Sequence, residues 1–554
     1  MTNYNVGDLV AEFLSNCGVT TAFGVVSIHN IPMLDAIGRR NAIRFVMARG
    51  EMGAGHMADG FARATGKLGV TISSTGPGAA NAVPGLVEAR FAGTPVLHLT
   101  GQTPTKFIDK QLGNVHDVAD QLGMLRSVSK SAYRVRTPGE ALGVLTRAVV
   151  DALTPPRGPV SVEIPIDVQQ TVIERPKLLD QFVLPVPAPV QPSEADLDAL
   201  ARRVIAAKRP MLWLGNGARD AGAPAAGLLD IGFAMVSSWA GRGIVPEDHP
   251  MTLGALNGNG VPALQDFYRT VDLMLVVGSR LRGHETGDFS LKLPDNLIHV
   301  DVDPATNGRA YANTGFICAD SPLVLEGLLK RIDGRMKIDP AFAPAFKALK
   351  AKVQEDFRQT LGPYSDFPRQ LRDVMPRDAI WVRDVTMSNT TWGNRLFPVY
   401  GPRDSIYPVG AAIGPSLSLG IGAALSNDGR KTVVMTGDGG FSLNMSELWT
   451  AVQERADIVI IIMNDFGYGV IKAIQDAWYG GRKFYGDLLA PNFEQLAALA
   501  DAPFWKVSKA TEFGAAVAKA IATPGPTIVE VDMGAIGTHP PYHPFIPKSE
   551  TAAR

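Results

Sequence analysis

Short apolar runs rich in β-branched residues alternate along the chain with longer segments in which apolar residues recur at helical spacing. Runs of this length are typical of buried strands, and their alternation with helices indicates parallel α/β domains. A proline-rich segment at residues 184–197 opposes regular structure. We therefore expect an α/β fold with three doubly wound parallel-sheet domains. Their predicted ranges are 1–175, 190–335 and 360–536, followed by a proline- and histidine-rich tail at 537–554.

The predicted strands share this apolar, β-branched character. They lie in "GVTTAFGV", "AIRFVMARG", "GVTISSTGPG", "TPVLHLTG", "GPVSVEIPID", "RPMLWLGNG", "DLMLVVGSR", "NLIHVDVDP", "DAIWVRDVT", "TVVMT", "DIVIIIM" and "GPTIVEVDM". Between "TVVMT" and "DIVIIIM", the segment "NMSELWTAVQER" predicts a helix that begins at Asn444 or Ser446. Leu448, Trp449 and Val452 would lie on one side of that helix.

Composition and charge narrow the class of protein. Hydrophobic residues make up 46% of the 554 residues and charged residues 19%, as in a well-buried globular protein. The formal net charge is -1, so no basic excess indicates binding to nucleic acid or to an anionic membrane. Cys17 and Cys318 form no disulfide framework or metal motif, and no signal-like segment or membrane-length apolar run is present. We expect a cytoplasmic protein.

Two predicted strands in the third domain each end in an acidic residue, Asp438 and Asp465. A strand–helix–strand crossover makes these strands parallel, which brings both carboxylates to the same edge of the sheet. Two hard oxygen ligands suit Mg²⁺ or Ca²⁺, and glycine backbone at this edge allows a phosphate to approach closely. The alternative is a helix-capping acid and a turn acid without a metal. The glycines in question are Gly437, Gly439 and Gly440.

The spaced motifs "GDGG" and "MNDFGYG" resemble the diphosphate-binding motif of thiamine diphosphate enzymes of the acetolactate synthase, pyruvate decarboxylase and benzaldehyde lyase group. The resemblance implies Mg²⁺ bound by the side chains of Asp438 and Asp465 and by the backbone carbonyl of Gly467. Most relatives carry asparagine where this chain has Asp465. The same motif implies cofactor contacts from Phe466, Tyr468, Gly469 and Val470.

Glu51 is the catalytic acid that the resemblance implies. The segment "ARGEMGAGHMADGFARATGKLGV" matches the part of the family in which a glutamate protonates the cofactor's pyrimidine ring, and Glu51 falls at that glutamate. The family reaction then proceeds through a C2 ylide and an enamine. Without the resemblance, Glu51 would read as an acid at a helix N-terminus, favoured by the helix dipole.

Further segments resemble the family around the cofactor. These are "STGPGAAN", "LTGQTP", "RDVTMSNTTW" and "GAAIGPSLSLGIGAAL", of which the last carries the apolar residue that props the two cofactor rings into a V shape, here Ile413. The other cofactor contacts implied are Pro77, Asn81, Gln102, Thr386, Met387, Ser388 and Ala411. In the family the glutamate domain of one subunit meets the diphosphate domain of another, which implies a homodimer or homotetramer with active sites at subunit interfaces.

The reaction itself is less well specified. His29 and His116 are candidate catalytic groups, because an imidazole can relay the protons of C–C cleavage; each could also be an ordinary loop histidine. Ile166 and His284 stand where acetolactate synthases carry lysine and arginine. We therefore expect a carbon–carbon lyase or transferase that decarboxylates or carboligates a small 2-oxo acid.

Two alternatives remain. One is an aldehyde lyase or synthase that acts on 2-hydroxy ketones without decarboxylation, and the other is a non-catalytic thiamine-binding homologue. Glycine turns after two central strands, in "LWLGNG" and "LVVGSR", would suit FAD or another nucleotide, although such turns alone are weak evidence.

Overall fold

The computed structural model describes residues 4–426 and 428–540, and its named strands form three separate parallel sheets. The predicted α/β fold with three parallel-sheet domains is thus confirmed. Helices flank each sheet, so that the central strands are buried on both faces. This explains why the central strands read as continuous apolar runs rather than alternating ones.

The first sheet has six strands in the order β2-β1-β3-β4-β6-β5. Its strands are β1 (Thr21–Gly24), β2 (Arg44–Met47), β3 (Gly69–Ser73), β4 (Val96–Gln102), β5 (Ser131–Arg134) and β6 (Val160–Pro165). The helices of this domain are α1 (Val6–Asn16), α2 (Ile31–Arg40), α3 (Glu51–Thr65), α4 (Pro77–Ala92), α5 (Gln121–Val128), α6 (Ala141–Leu153) and α7 (Ile166–Gln170).

The central sheet has five strands in the order β11-β10-β9-β7-β8. Its strands are β7 (Pro210–Leu214), β8 (Ala234–Ser237), β9 (Leu273–Val277), β10 (Leu297–Asp301) and β11 (Gly315–Cys318). The helices are α8 (Glu194–Ala206), α9 (Gly222–Ile231), α10 (Pro262–Tyr268), α11 (Gly283–Thr286), α12 (Ser321–Ile332) and α13 (Phe342–Gln359).

The third sheet has six strands in the order β13-β12-β14-β15-β17-β16, which repeats the connectivity of the first sheet. Its strands are β12 (Ile380–Arg383), β13 (Ser405–Ile406), β14 (Thr432–Gly437), β15 (Ile458–Asn464), β16 (Phe504–Val507) and β17 (Thr527–Asp532). The helices are α14 (Phe367–Val374), α15 (Ser416–Ala424), α16 (Asp438–Leu443), α17 (Glu447–Gln453), α18 (Gly469–Trp478), α19 (Phe493–Leu499), α20 (Phe513–Ala522) and α21 (Met533–Ile536).

The first and third domains share one hydrophobic core, in which α3 packs against α15. Their backbones come into direct contact at two glycines. A Cβ atom on Gly60 would overlap the carbonyl of Leu419, and one on Gly422 would overlap the carbonyl of Met57. Because only glycine allows this approach, the two helices fix the relative position of the two domains.

The strands that sequence reasoning missed are β5, β8, β11, β13 and β16, and each of them is an edge strand. An edge strand has one neighbour only, so it can be short and does not need a continuous apolar run. Strands β5, β11 and β16 are partly exposed, while β13 has only two residues.

The helix predicted to begin at Asn444 or Ser446 is present as α17, which runs from Glu447 with Ser446 as its N-cap. Ser446 is therefore the correct one of the two predicted starts. A further short helix, α16, begins at Asp438 and ends before Asn444, and sequence reasoning missed it. Within the described residues, no helix is both long and apolar enough to cross a bilayer.

Candidate cofactor and active site

A cavity of about 440 Å³ opens at the carboxyl ends of the third-sheet strands. Ligands of open parallel sheets bind at this edge. Most of the third-domain residues predicted to contact the cofactor lie in its wall: Thr386, Met387, Ser388, Ala411, Ile413, Gly437, Gly439, Gly440, Asp465, Gly467, Tyr468, Gly469 and Val470. Lining residues that sequence reasoning missed are Val385, Met463, Ile471 and Met533. Phe466 is half-exposed and is not part of the lining.

The two acids predicted to bind a metal lie together beside this cavity. The backbone amide of Asp465 donates to Asp438 Oδ1 at 3.4 Å, while the buried Oδ2 of Asp438 has no hydrogen-bond partner within the described structure. Burial raises the pKa of Asp438. Burial and the charge of Asp438 raise the pKa of Asp465 to about 7. The crossover has therefore placed both carboxylates in one site, as the sequence predicts.

A divalent cation fits this arrangement chemically. Two carboxylates in a buried site repel each other, and a hard cation such as Mg²⁺ removes that repulsion by binding their oxygens. No hydrogen-bond donor within the described chain reaches Oδ2 of Asp438. Mg²⁺ uses few protein ligands and takes the rest from phosphate and water. Phosphate or water in the adjoining cavity would therefore occupy the remaining coordination positions.

The glycines around the acid pair allow close packing. A Cβ on Gly439 would lie 2.7 Å from the ring of Tyr468, and one on Gly469 would overlap the carboxylate of Asp465. Gly467 has a φ of 154°, a backbone conformation that other residues rarely adopt, and a Cβ there would overlap the carbonyl of Gly486. These glycines therefore allow the segments around the acid pair to pack closely against one another.

The loop that carries Ala411 and Ile413 is fixed by a buried acid that sequence reasoning missed, Asp384. This carboxylate accepts hydrogen bonds from the amide of Gly414, at 3.0 and 3.1 Å, and from the hydroxyl of Ser416, at 2.7 Å. Burial raises the pKa of Asp384. The available signal was an acid directly after the buried strand β12, the same pattern that identified Asp438 and Asp465.

Glu51 is the first residue of α3, in the first domain. Its Oε2 accepts a hydrogen bond from the side-chain amide of Asn81 at 3.4 Å. A Cβ on Gly78 would lie 2.8 Å from Glu51 Oε1, and Pro77 begins the helix that carries both Gly78 and Asn81. The structure thus brings together three of the predicted residues: Glu51, Pro77 and Asn81.

The two candidate histidines lie side by side in the first domain. Their Nδ1 atoms are 3.3 Å apart, and Ser74 Oγ lies 3.5 Å from that of His116. Ser27 donates to Ser74 at 2.7 Å, which links both serines to the pair. Burial, and the nearby imidazole of His116, lower the pKa of His29. A lowered pKa favours the neutral form of His29, in which one ring nitrogen is free to accept a proton.

Gln102 belongs to a buried polar network below the turn that precedes α4. Thr75 donates to Gln102 Oε1 at 3.1 Å, and the Gln102 amide donates to Glu163 at 3.4 Å. Gln121, also missed by sequence reasoning, donates to Glu163 at 3.0 Å and accepts the amide of Gly76 at 2.6 Å. Gln102 thus supports this turn from within the sheet.

The predicted site residues therefore form two groups rather than one. Among the described residues, those that line the third-domain cavity include none from the first domain. Glu51 lies instead at the contact between the first domain and α17. Within a single chain the cavity and the candidate acid remain apart.

A second cavity, of about 230 Å³, lies between the central domain and its two neighbours. Both glycine turns that the sequence indicated for a nucleotide contribute to it, through Gly217 and Gly278. Six arginines also line it: Arg63, Arg157, Arg219, Arg280, Arg282 and Arg403. Burial, and the neighbouring charges of Arg403 and Arg63, lower the pKa of Arg219. Four acids, Asp220, Glu285, Asp301 and Asp320, line the same cavity.

Comparison with known proteins agrees with this geometry. The models for the N-terminal TPP binding domain, the central domain and the C-terminal TPP binding domain of thiamine pyrophosphate enzymes match residues 4–124, 197–328 and 385–531. The chain belongs to the thiamine pyrophosphate enzymes. This confirms the family that the motifs around Asp438 and Glu51 indicated.

The relatives of this thiamine pyrophosphate enzyme carry out more than one reaction. The chain is 29% identical to the large subunit of acetolactate synthase isozyme 1 from Escherichia coli, covering 95% of this chain and 94% of that protein. It is 30% identical to a probable 2-ketoarginine decarboxylase from Pseudomonas aeruginosa, covering 84% and 83%. A chloroplastic acetolactate synthase from Nicotiana tabacum is 27% identical, covering 95% and 81%.

Proposed function

We propose that this protein uses thiamine diphosphate and Mg²⁺ to decarboxylate a 2-oxo acid, to carboligate it, or both. The observation that carries the proposal is the buried acid pair, Asp438 and Asp465, at the mouth of a glycine-lined cavity. Held there by Asp438 and Asp465 through Mg²⁺, the cofactor would supply a nucleophilic carbon and an acceptor for the electron pair of C–C cleavage.

The third domain (residues 360–536) is proposed to hold the diphosphate end of the cofactor. Asp438 and Asp465 would bind Mg²⁺ through their side chains, and Gly467 through its carbonyl. Ile413, in the cavity wall, would support the bend between the cofactor rings. The absence of a side chain at Gly439 lets the ring of Tyr468 pack against the loop that follows Asp438.

The first domain (residues 1–175) is proposed to supply Glu51 to the cavity of a second copy of the chain. Support comes from the separation of Glu51 and the cavity within one chain. Exposed apolar side chains also lie near both groups, such as Ile28 and Val115 in the first domain and Ile471 in the third. Clustered exposed apolar residues favour a protein interface, so we infer a homodimer at least.

The histidine pair is proposed to handle protons at the reacting end of the substrate. A neutral His29 can accept a proton, and His116 lies 3.3 Å from it, so that the proton can pass between the rings. Ser74 would hold His116 in place. A 2-oxo acid substrate is supported by relatives whose names denote acetolactate synthesis and 2-ketoarginine decarboxylation.

The test is a panel of 2-oxo acids and aldehydes, supplied with thiamine diphosphate and Mg²⁺, comparing the wild-type protein with Glu51→Gln. We expect the variant to bind the cofactor but to lose activity by about 1000-fold, the usual range for a general acid–base group. Undiminished turnover in Glu51→Gln would overturn the mechanism. Cleavage or synthesis of 2-hydroxy ketones without carbon dioxide release would favour the lyase alternative, and no turnover at all would favour the non-catalytic one.

A further inference from the structure

Glu447, the first residue of α17 in the third domain, is a buried acid that the proposed chemistry does not use. It is 1% exposed, and its carboxylate is directed at the first domain of the same chain. The backbone amide of Arg49 lies 3.1 Å from both carboxylate oxygens, and the amide of Gly50 donates to Oε1 at 3.1 Å. Thr450, one turn along α17, donates to Oε2 at 2.6 Å.

One of these contacts supplies part of a helix cap. The N-cap of α3 is Gly50, which has no side chain to accept from the free amides of the first turn. Glu447, from another domain, accepts the amide of Gly50, which is one of these free amides, and the amide of Arg49, which directly precedes the helix. A negative charge is favoured at a helix N-terminus. Glu51, the proposed catalytic acid, is the next residue after these two amides.

The helix also lies directly on the carboxylate. A Cβ on Gly53 would overlap Glu447 Oε1, so the first turn of α3 can approach only because residue 53 is glycine. The backbone of Glu51 is thus held on both sides. Hydrogen bonds to Glu447 fix the two residues before it, and the close contact at Gly53 fixes the turn after it.

The same arrangement occurs in reverse on the other side of the interface. Glu88, on α4 of the first domain, accepts the amides of Val409 at 2.6 Å and Gly410 at 2.8 Å. These two residues directly precede Ala411, in the wall of the third-domain cavity. Helix α4 follows β3 as α16 and α17 follow β14, so each acid lies at a similar place in a sheet of the same connectivity.

We propose that Glu447 is a positioning residue for Glu51: it holds the backbone at residues 49–53 so that the Glu51 carboxylate meets the cofactor in the correct orientation. The inference rests on the proposed function, because it gives Glu51 a catalytic task. It adds that a residue of the diphosphate domain, with no contact to the cofactor, sets the activity of the acid in the same chain.

The first measurement uses the apoprotein. Amide hydrogen exchange of a peptide over residues 47–54, followed by mass spectrometry, is compared in wild type, Glu447→Met and Glu447→Gln. Glu447→Met keeps the side-chain length but has no acceptor, so the amides of Arg49 and Gly50 should exchange at least about 10-fold faster. Glu447→Gln keeps one acceptor oxygen and should retain most of the protection. Unchanged exchange in Glu447→Met overturns the proposal.

The second measurement separates positioning from binding in the loaded enzyme. The exchange of the cofactor's C2 proton with D₂O, read by NMR after acid quench, reports on Glu51 without any substrate. For Glu447→Met we expect this rate to fall by about 10- to 100-fold, as for a misplaced catalytic group. We expect cofactor affinity to stay within about 3-fold of wild type. Equal loss of affinity and rate, or no loss of rate, contradicts a positioning role.

Gln453→Ala is the matched control. Gln453 lies on the same helix and accepts from the Arg49 guanidinium at 2.9 Å, so the variant removes a contact between the same domains without touching the amides of α3. It should leave C2 exchange unchanged. If Glu447→Met does not fold, Gly53→Ala takes its place, because its Cβ displaces the carboxylate; a normal C2 exchange rate in that variant overturns the proposal.

Glu51→Gln distinguishes the two levels of the argument. If C2 exchange is normal in Glu51→Gln, the proposed function is wrong. If exchange is lost in Glu51→Gln but normal in Glu447→Met, only the positioning role is wrong.

Discussion

The first and third domains have sheets of the same connectivity, yet the strands end in different chemistry. In the third domain β14 and β15 end at Asp438 and Asp465, beside a cavity lined by glycine. In the first domain β3 leads through serine and threonine to a turn above a buried glutamine network. One sheet thus presents backbone and carboxylates, which suit a metal and phosphate, and the other presents hydroxyl and amide side chains.

This difference shows that strand order alone does not determine what an α/β domain does. In the third domain, Asp438 and Asp465 follow the carboxyl ends of β14 and β15, and β15 itself carries the apolar run "IVIIIM". The first domain places polar groups inside the sheet itself. His98, in β4, lies between Ser73 at 2.8 Å and Ser161 at 3.1 Å. The corresponding strand β15 is polar only at its last residue, Asn464, which donates to Glu530 of β17 at 2.8 Å.

The largest expected effect concerns the division of labour between the domains. Asp438→Ala should weaken cofactor binding by at least about 100-fold, since even outer partners of a metal are worth about 10- to 100-fold. Glu51→Gln should leave binding nearly intact. Titration calorimetry with thiamine diphosphate and Mg²⁺ checks both variants.

Asp457→Ala is the control for Asp438→Ala, because Asp457 lies at the opposite end of β15. Its cofactor affinity should match wild type. Tight binding by Asp438→Ala would mean that the acid pair is not a metal site, and the contrast between the two domains would fail.

The next effect concerns acid sensitivity. Burial lowers the pKa of His98 to about 3, while an unfolded histidine titrates near about 6.5. Between these two pH values the opened state binds more protons than the folded state. The stabilisation that comes from the neutral, buried His98 is therefore fully present above about pH 6.5 and is lost as the pH falls toward about 3. From pH 7 to pH 5 the free energy of opening around His98 should fall by about 2 kcal/mol.

Amide hydrogen exchange at pH 7 and pH 5, corrected for intrinsic rates, measures the free energy of opening separately for β4 and β15. We expect the loss of protection in β4 only, and a flatter response in His98→Gln. Equal loss in both strands would show that the buried histidine does not distinguish the two sheets.

The smallest effect concerns Asp465, where most relatives carry asparagine. A second carboxylate adds negative charge beside the diphosphate, which Mg²⁺ must offset. Cofactor retention should therefore depend more steeply on Mg²⁺ in wild type than in Asp465→Asn, by about 3-fold at low Mg²⁺. Identical metal titrations of the two proteins would contradict this.

Local patterns predicted the central strands of all three sheets, because strands covered on both faces need continuous apolar runs. The same reasoning failed at β5, β8, β11, β13 and β16, where edge strands lack that requirement. It also missed Asp384 and Glu447, whose partners lie in backbone far away in sequence. The tail prediction at residues 537–554 falls largely outside the described residues; within them, the ring of His539 stacks on Tyr364 at 4.3 Å.

The sequence by itself determined the parallel α/β class, the family, and the pairing of Asp438 with Asp465. The class and the pairing follow from apolar periodicity and from acids at strand ends, which are local properties of the chain, whereas the family follows from the resemblance of motifs such as "GDGG" and "MNDFGYG". Only the tertiary structure decided that Glu51 lies apart from the cavity of its own chain, and that Glu447 holds the backbone before it. Such contacts depend on how two domains pack. Gly60 and Gly422 allow that packing, but no local sequence pattern predicts its geometry.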